Sequence, residues 1–346
     1  MANSRAPAQE LIYNDVTAAL FEDGRLVEYM PEAVPDHYGI GAICHARVTQ
    51  IFKKQNRAQC QLESGEIASF RLSRKTNLVS GDLCWVTVSA MARQQKPWQA
   101  EEGISRAGRL IVLHYDSQGV RASHKAKGAF DEAHLTQIAK ALPDGWGAVL
   151  KRASFAASID EITAEIEKLV QPVLAGLDDA LRSQAPMTLY QGDKGQDYLA
   201  LTAGPELQMR FDDDKDDWEE FEDLARHACE PEVILPNGAV LQFDQTRALL
   251  AVDVDSATSK LGPLACAQYV APHIMRLIRL ASYSGVILVD MPRLGIQDMA
   301  GILEVMRQEA QKDIRHPDVL GVSRAGLIEI VVRHRLSPLK ERLAQI

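Results

Sequence analysis

The sequence predicts a multi-domain chain of mixed α/β class, α+β in its earlier parts and α/β in its last third. Three observations carry this. The length, 346 residues, is too great for one small core and suits two to four modest domains. Residues 40–90 hold several short alternating runs broken by turn residues, the pattern of a small antiparallel barrel. Residues 249–289 read as strand, helix and almost purely apolar strand, the pattern of a parallel crossover.

The elements follow in chain order. Residues 16–29 read as a hairpin turning at Asp23-Gly24, a good type I′ dipeptide. Runs at 46–51, 59–62, 67–72 and 83–88, with turns at Ser64-Gly65 and Ser80-Gly81-Asp82, suggest an OB-fold barrel. A strand pair is expected over 108–120, a helix over 132–141 ended by Pro143-Asp144-Gly145, and a strand over 147–152. Ser158 or Asp160 can cap a second helix, whose apolar stripe is Ile159, Ile162, Ile166, Leu169 and Val170. Residues 189–201 look strand-like, and an acidic loop then runs into a helix. A hairpin is expected around Asn237-Gly238, then a strand at 249–254, a helix at 264–282, a strand at 285–289, a helix at 298–313 and a last strand at 327–332.

Composition narrows the function. No apolar run approaches the ~20 residues that cross a bilayer, and the polar first residues lack a signal-peptide core, so a cytoplasmic protein with no membrane partner is expected. The five cysteines are odd in number and far apart, which argues against disulfides and against structural zinc. The net charge of −9 opposes a nucleic-acid partner only at first sight. Residues 212–223 pack nine acids around Lys215 and account for most of the imbalance. Arg47, Lys53, Lys54, Arg57, Arg71, Arg74 and Lys75 cluster against only Glu63 and Glu66. That is either a solvated surface or the local basic face that phosphate contact requires.

The chemistry lies in the last third. Asp253 and Asp255 are two apart on one strand, so they share a face, while Val252 and Val254 point the other way. The next buried strand ends in Asp290, which a crossover would bring beside Asp253 at the carboxyl edge of the sheet. Taken alone, each aspartate could simply cap a strand or a helix. Gathered, they favour a hard divalent cation, magnesium or manganese, with Asp253, Asp255 and Asp290 as its ligands.

The blocks Val233-Ile234-Leu235-Pro236-Asn237-Gly238, Phe243-Asp244-Gln245-Thr246-Arg247-Ala248-Leu249 and Val252-Asp253-Val254-Asp255-Ser256 resemble the catalytic signature of the ribonuclease E/G family. The resemblance continues through Arg276, Arg279, Asp290, residues 323–329 and residues 333–338. It implies a magnesium-dependent endoribonuclease that cuts single-stranded RNA and leaves 5′-phosphate ends, with Asp253 and Asp290 as catalytic acids. It further implies an N-terminal RNase H-like part (1–38), an OB-fold RNA-binding domain (39–92), a sensor-like subdomain (93–180), the rest of the RNase H-like portion with the acidic loop (181–230) and a DNase I-like catalytic domain (231–346). By position Phe70 matches a base-stacking aromatic. Lys53, Lys54, Lys96 and Arg324 are expected on RNA, and Arg152 matches the arginine of the family's 5′-phosphate pocket. A homodimer fits the resemblance; zinc and a zinc-linked tetramer are not expected.

The departures are specific. Ala267 replaces an Asn, Arg293 an acid, Cys60 a stacking Phe and Ala153 the Thr of the phosphate pocket, and the loop 257–262 is short. They leave open an alternative, a catalytically inactive RNA-binding or ribosome-associated protein of the same descent.

Overall fold

The computed structural model describes residues 9–31, 38–73, 76–93, 96–123, 130–201, 203 and 207–345; Arg74 and Lys75 of the basic cluster lie outside them. The chain forms two compact units, Met1–Pro35 with Gly195–Ile346, and Asp36–Lys194. Among the described residues no helix is long and apolar enough to cross a membrane.

The first unit opens with β1 (Gln9–Tyr13), β2 (Ala18–Glu22) and β3 (Arg25–Met30). Asp23 and Gly24 both have positive φ, 49° and 72°, as the expected hairpin turn requires.

The second unit holds β4 (Ile43–Phe52), β5 (Arg57–Gln61), β6 (Ile67–Arg71), β7 (Leu83–Ala90), β8 (Trp98–Glu102), β9 (Ser105–Ala107), β10 (Ile111–Tyr115), β11 (Val120–Ala122), α1 (Glu132–Ala139), β12 (Trp146–Leu150), α2 (Ile159–Arg182) and β13 (Met187–Tyr190). Strands pair in the order β4-β5-β6-β8-β7, and β7 returns to β4, so five strands close a barrel of the OB-fold-like kind. The closing strand, β8, lies past the expected boundary at residue 92. Small inward residues, among them Ala46, Ala58, Cys60, Ala68 and Cys84, let the barrel close around Phe70 and Trp98. A second sheet, β11-β12-β10-β9, buries Leu113, Leu150 and Ile111 with the stripe of α2. Ser158 and Glu161 form a reciprocal capping box at the start of that helix.

The chain then completes the first unit with α3 (Gly195–Ala200), β14 (Gln208–Phe211), α4 (Lys215–His227), β15 (Glu232–Ile234), β16 (Val240–Gln245), β17 (Leu249–Asp255), α5 (Pro263–Leu280), β18 (Gly285–Asp290), α6 (Ile296–Ala310), β19 (Asp318–Val322), β20 (Ile328–Val332) and α7 (Leu339–Leu343). Residues 195–200 are thus helical, where a strand was expected. β14 runs parallel to β1 in the sheet β14-β1-β2-β3. The other sheet is β15-β16-β17-β18-β20-β19, with β17 and β18 parallel. One face of it, carrying Leu241, Phe243, Leu250, Val252, Ile287, Val289 and Ile330, joins the buried side of α5 in one core.

Candidate functional site

The in-register pairing of β17 with β18 makes the site. Val252 and Val254 are buried, so alternation turns Asp253 and Asp255 to the opposite, open face. Asp253 and Asp290 are direct register partners on adjacent parallel strands. Their backbones are therefore one strand spacing apart, about 4.8 Å. Both side chains are exposed. Among the described residues neither has an ion-pair partner. Gln242 of β16 stands opposite Asp253 on the other side and is also exposed, a neighbour that the sequence could have supplied once the 240–255 hairpin was in register.

Asp255 is not the third member of a closed cluster. It sits one pleat further along, about 7 Å by strand rise. Its Oδ1 accepts the Ala257 N–H at 2.8 Å, which shapes the turn leaving the strand. Among the described residues no group of three His, Cys, Asp or Glu side chains is arranged to hold a metal. The arrangement is a pair of carboxylates with a turn-forming aspartate beside it. That turn is braced from the other hairpin: Thr258 Oγ1 donates to the Gly238 carbonyl at 3.3 Å, and a Cβ on Gly238 would meet that hydroxyl at 2.4 Å. Glycine is therefore required at 238 by space as well as by its φ of 84°.

Arg324 is exposed in the turn between β19 and β20. Because Val289 pairs with Ile328, this turn opens at the sheet edge where Asp290 lies. Arg293 is exposed in the loop just after Asp290. Ala267, by contrast, is fully buried in α5 and packs in the core.

The other expected contacts belong to the barrel unit. Lys53 and Lys54 are exposed on a single 3-10 turn between β4 and β5, and Lys96 is exposed before β8. Arg57 is committed to the barrel wall, donating to Ser69 Oγ at 3.0 Å and to Gln99 Oε1 at 2.6 Å. Phe70 corrects the expectation placed on it. It is 0% exposed inside the barrel and offers no face on which a base could stack. The reason is alternation: Ala68 and Phe70 share the inward face of β6, and Arg71 points out.

Arg152 is exposed at the start of a 3-10 turn after β12. Ala153 beside it has no hydroxyl, and the next residue, Ser154, is buried and donates to the Lys151 carbonyl. Glu161, a conceivable partner for Arg152, is instead engaged in the α2 capping box, whose hydrogen bonds from Ser158 hold its carboxyl below the usual range.

Fold and edge together define a class: an α/β unit with paired carboxylates at the carboxyl ends of parallel strands, in one chain with an OB-like barrel. Residues 212–336, which span the whole acidic edge, match the model of the ribonuclease E/G family. The chain is 23% identical to the ribonuclease E of Nostoc sp. over 66% of its own length and 39% of the relative's. It is 23% identical to that of Synechocystis sp., over 70% of the chain and 42% of the relative. It is 24% identical to that of Haemophilus influenzae, over 75% of the chain and 32% of the relative. The chain is thus similar to the ribonuclease E/G family over residues 212–336, and it spans about two fifths of the length of the first two of these relatives.

Proposed function

We propose that the protein is an endoribonuclease that cuts single-stranded RNA in RNA processing or decay, with Asp253 and Asp290 as its catalytic pair. The observation that carries this reading is their register pairing on the exposed edge of the sheet. Two exposed carboxylates one strand apart, with no ion-pair partner among the described residues, repel each other, and a divalent ion relieves that repulsion. Their chemistry fits magnesium, which takes one or two carboxylates and fills its remaining positions with water and substrate phosphate. When bound there, magnesium would supply Lewis-acid assistance at the phosphorus centre.

This chain's own residues then have separate tasks. Asp253 and Asp290 would hold the cation at the edge, and Asp255 keeps the turn beside it in place. Arg324 faces the same edge and offers a guanidinium to the RNA backbone. In the hydrolysis, water adds to phosphorus, the P–O3′ bond breaks and the 3′ oxygen leaves as a hydroxyl after taking a proton. The phosphate remains on the 5′ side. Lys53, Lys54 and Lys96 would track the strand as charges. On this reading the β15–β20 sheet corresponds to a DNase I-like catalytic fold, β1–β3 with β14 to the RNase H-like portion, and the sheet of β9–β12 to the sensor-like subdomain.

The test is an end-labelled single-stranded RNA incubated with the purified protein, in magnesium and in chelator. Internal cleavage in magnesium only, with 5′-phosphate product ends, is expected. Binding without cleavage in either condition would instead favour the inactive RNA-binding alternative.

A further inference from the structure

A cavity of about 330 Å³ lies in the first unit, away from the acidic pair, between the β2–β3 hairpin, the middle of α5 and the end of α6. Its lining carries the acids Glu22, Asp23, Glu309 and Asp313 and the bases Arg25, Arg276, Arg279 and Lys312. Arg279 is held by Glu22 and Glu28, at 2.7 and 2.6 Å. Lys312 pairs with Glu309 at 2.7 Å, and Asp313 with Arg315 at 2.6 Å. Two arginines in the lining, Arg25 and Arg276, have no ion pair among the described residues.

Their placement is unusual for a merely structural role. Arg276 projects from α5 and spends one nitrogen, Nη1, on the Leu26 carbonyl at 2.8 Å. Its Nε is buried and meets no acceptor among the described protein atoms. Arg25 stands exposed at the rim, and among the described residues its Nη1 reaches the His273 Nε2 at 3.5 Å, a distance too long to be a strong bond. His273 turns its Nδ1 to the Tyr269 carbonyl at 2.8 Å. Burial lowers the pKa of Arg276, and the nearby charge of Arg25 lowers it further. Burial likewise depresses His273, and both arginines add to the effect. Arg25, Arg276 and His273 thus make a basic end of the cavity, with the exposed Asp23 in the same lining.

We propose that this cavity is a phosphate-binding site, in which Arg276 from the wall and Arg25 from the rim close on one phosphate group. A guanidinium presents paired N–H donors that match phosphate oxygens, and two of them around one anion exchange mutual repulsion for attraction. The phosphate can be a free small-molecule phosphate or one link of an RNA backbone; both present the same chemistry. The inference does not rest on the nuclease reading, because binding is measured without cleavage.

The experiment is calorimetric titration of the full chain with inorganic phosphate, against sodium chloride at equal ionic strength, while the His273 ring resonances are followed by NMR. Saturable phosphate binding that moves the His273 signals is expected, weakened about tenfold or more in Arg25→Gln. Arg276→Gln should abolish it. Arg25 is exposed, so its variant folds even if Arg276→Gln, which loses the bond to Leu26, does not. A phosphate response no larger than that of chloride, or wild-type affinity and unmoved His273 signals in Arg25→Gln, overturns the proposal. A short single-stranded RNA, added to the Asp253→Asn variant, then identifies the source. Displacement of phosphate assigns the site to RNA backbone, and undiminished phosphate binding assigns it to a free phosphate.

Discussion

The same unit treats two sets of carboxylates in opposite ways. Glu22, Glu28 and Asp313 are buried, and each is locked to an arginine. Asp253 and Asp290 are exposed, side by side, and without a cation among the described residues. The first set solves a folding problem. A buried charge costs several kcal/mol unless it is paired, and Arg279 answers two glutamates on β2 and β3 at once. Burial alone would lower the Arg279 pKa, but Glu28 and Glu22 more than offset it and keep the guanidinium firmly charged. The second set poses a problem that the fold leaves unsolved, since adjacent like charges on neighbouring strands destabilise the pairing. Paired acids hold this unit together; unpaired acids at the strand ends are where chemistry is to be sought.

The contrast is sharpest in the response to mutation. Arg279→Met should leave two buried glutamates uncompensated and cost about 3–5 kcal/mol of stability, read by urea unfolding. A loss below about 1 kcal/mol would erase the distinction between the two sets. A comparable loss, about 3–5 kcal/mol, is expected for Phe70→Ala, since the ring fills the barrel. RNA affinity, measured where that variant is still folded, should be unchanged; a specific loss of affinity at full stability would return Phe70 to the binding surface.

Smaller effects concern the barrel unit's surface. Cleavage rates of one RNA with a 5′-monophosphate, 5′-triphosphate or 5′-hydroxyl are expected to agree within about tenfold, ~1.4 kcal/mol. Arg152 stands exposed with no hydroxyl donor on Ala153, and a lone guanidinium does not fix a phosphate's geometry. A larger monophosphate advantage that vanishes in Arg152→Ala would show a working pocket. The smallest effect is that of Lys53→Ala or Lys54→Ala, each of which should reduce the slope of log affinity against log salt by about 0.7. No change in slope for either would exclude that turn from the RNA path.

Much of the acidic edge was legible in the sequence because strand alternation has period two. Val252 and Val254 pointing inward oblige Asp253 and Asp255 to point outward, and the apolar run ending at Asp290 marks its neighbour. The same rule, applied to Ala68, Ser69, Phe70 and Arg71, would have turned Phe70 inward. What one strand's pattern cannot give is its partner. β8 reads as Trp-Gln-Ala-Glu-Glu, polar enough to pass for a loop, and becomes a strand by closing the barrel between β6 and β7. β14 pairs with β1 across nearly two hundred residues of chain. Asp255 was legible as a member of the acidic face but not as the acceptor for Ala257 N–H, because that depends on the turn's conformation. Arg276 and Arg279 stood out in the sequence only through the family resemblance, because the hairpin they meet lies some 250 residues earlier.

The most direct measurement compares Asp253→Asn and Asp290→Asn with wild type in two readouts, RNA cleavage and thermal unfolding. Cleavage should fall by at least about a hundredfold, ~2.7 kcal/mol in the barrier, in each variant. The unfolding midpoint should stay the same or rise slightly, because an exposed like-charge contact has been removed. Cleavage near the wild-type rate in both variants, or a loss that merely follows a drop in stability, would contradict the assignment of this pair to catalysis.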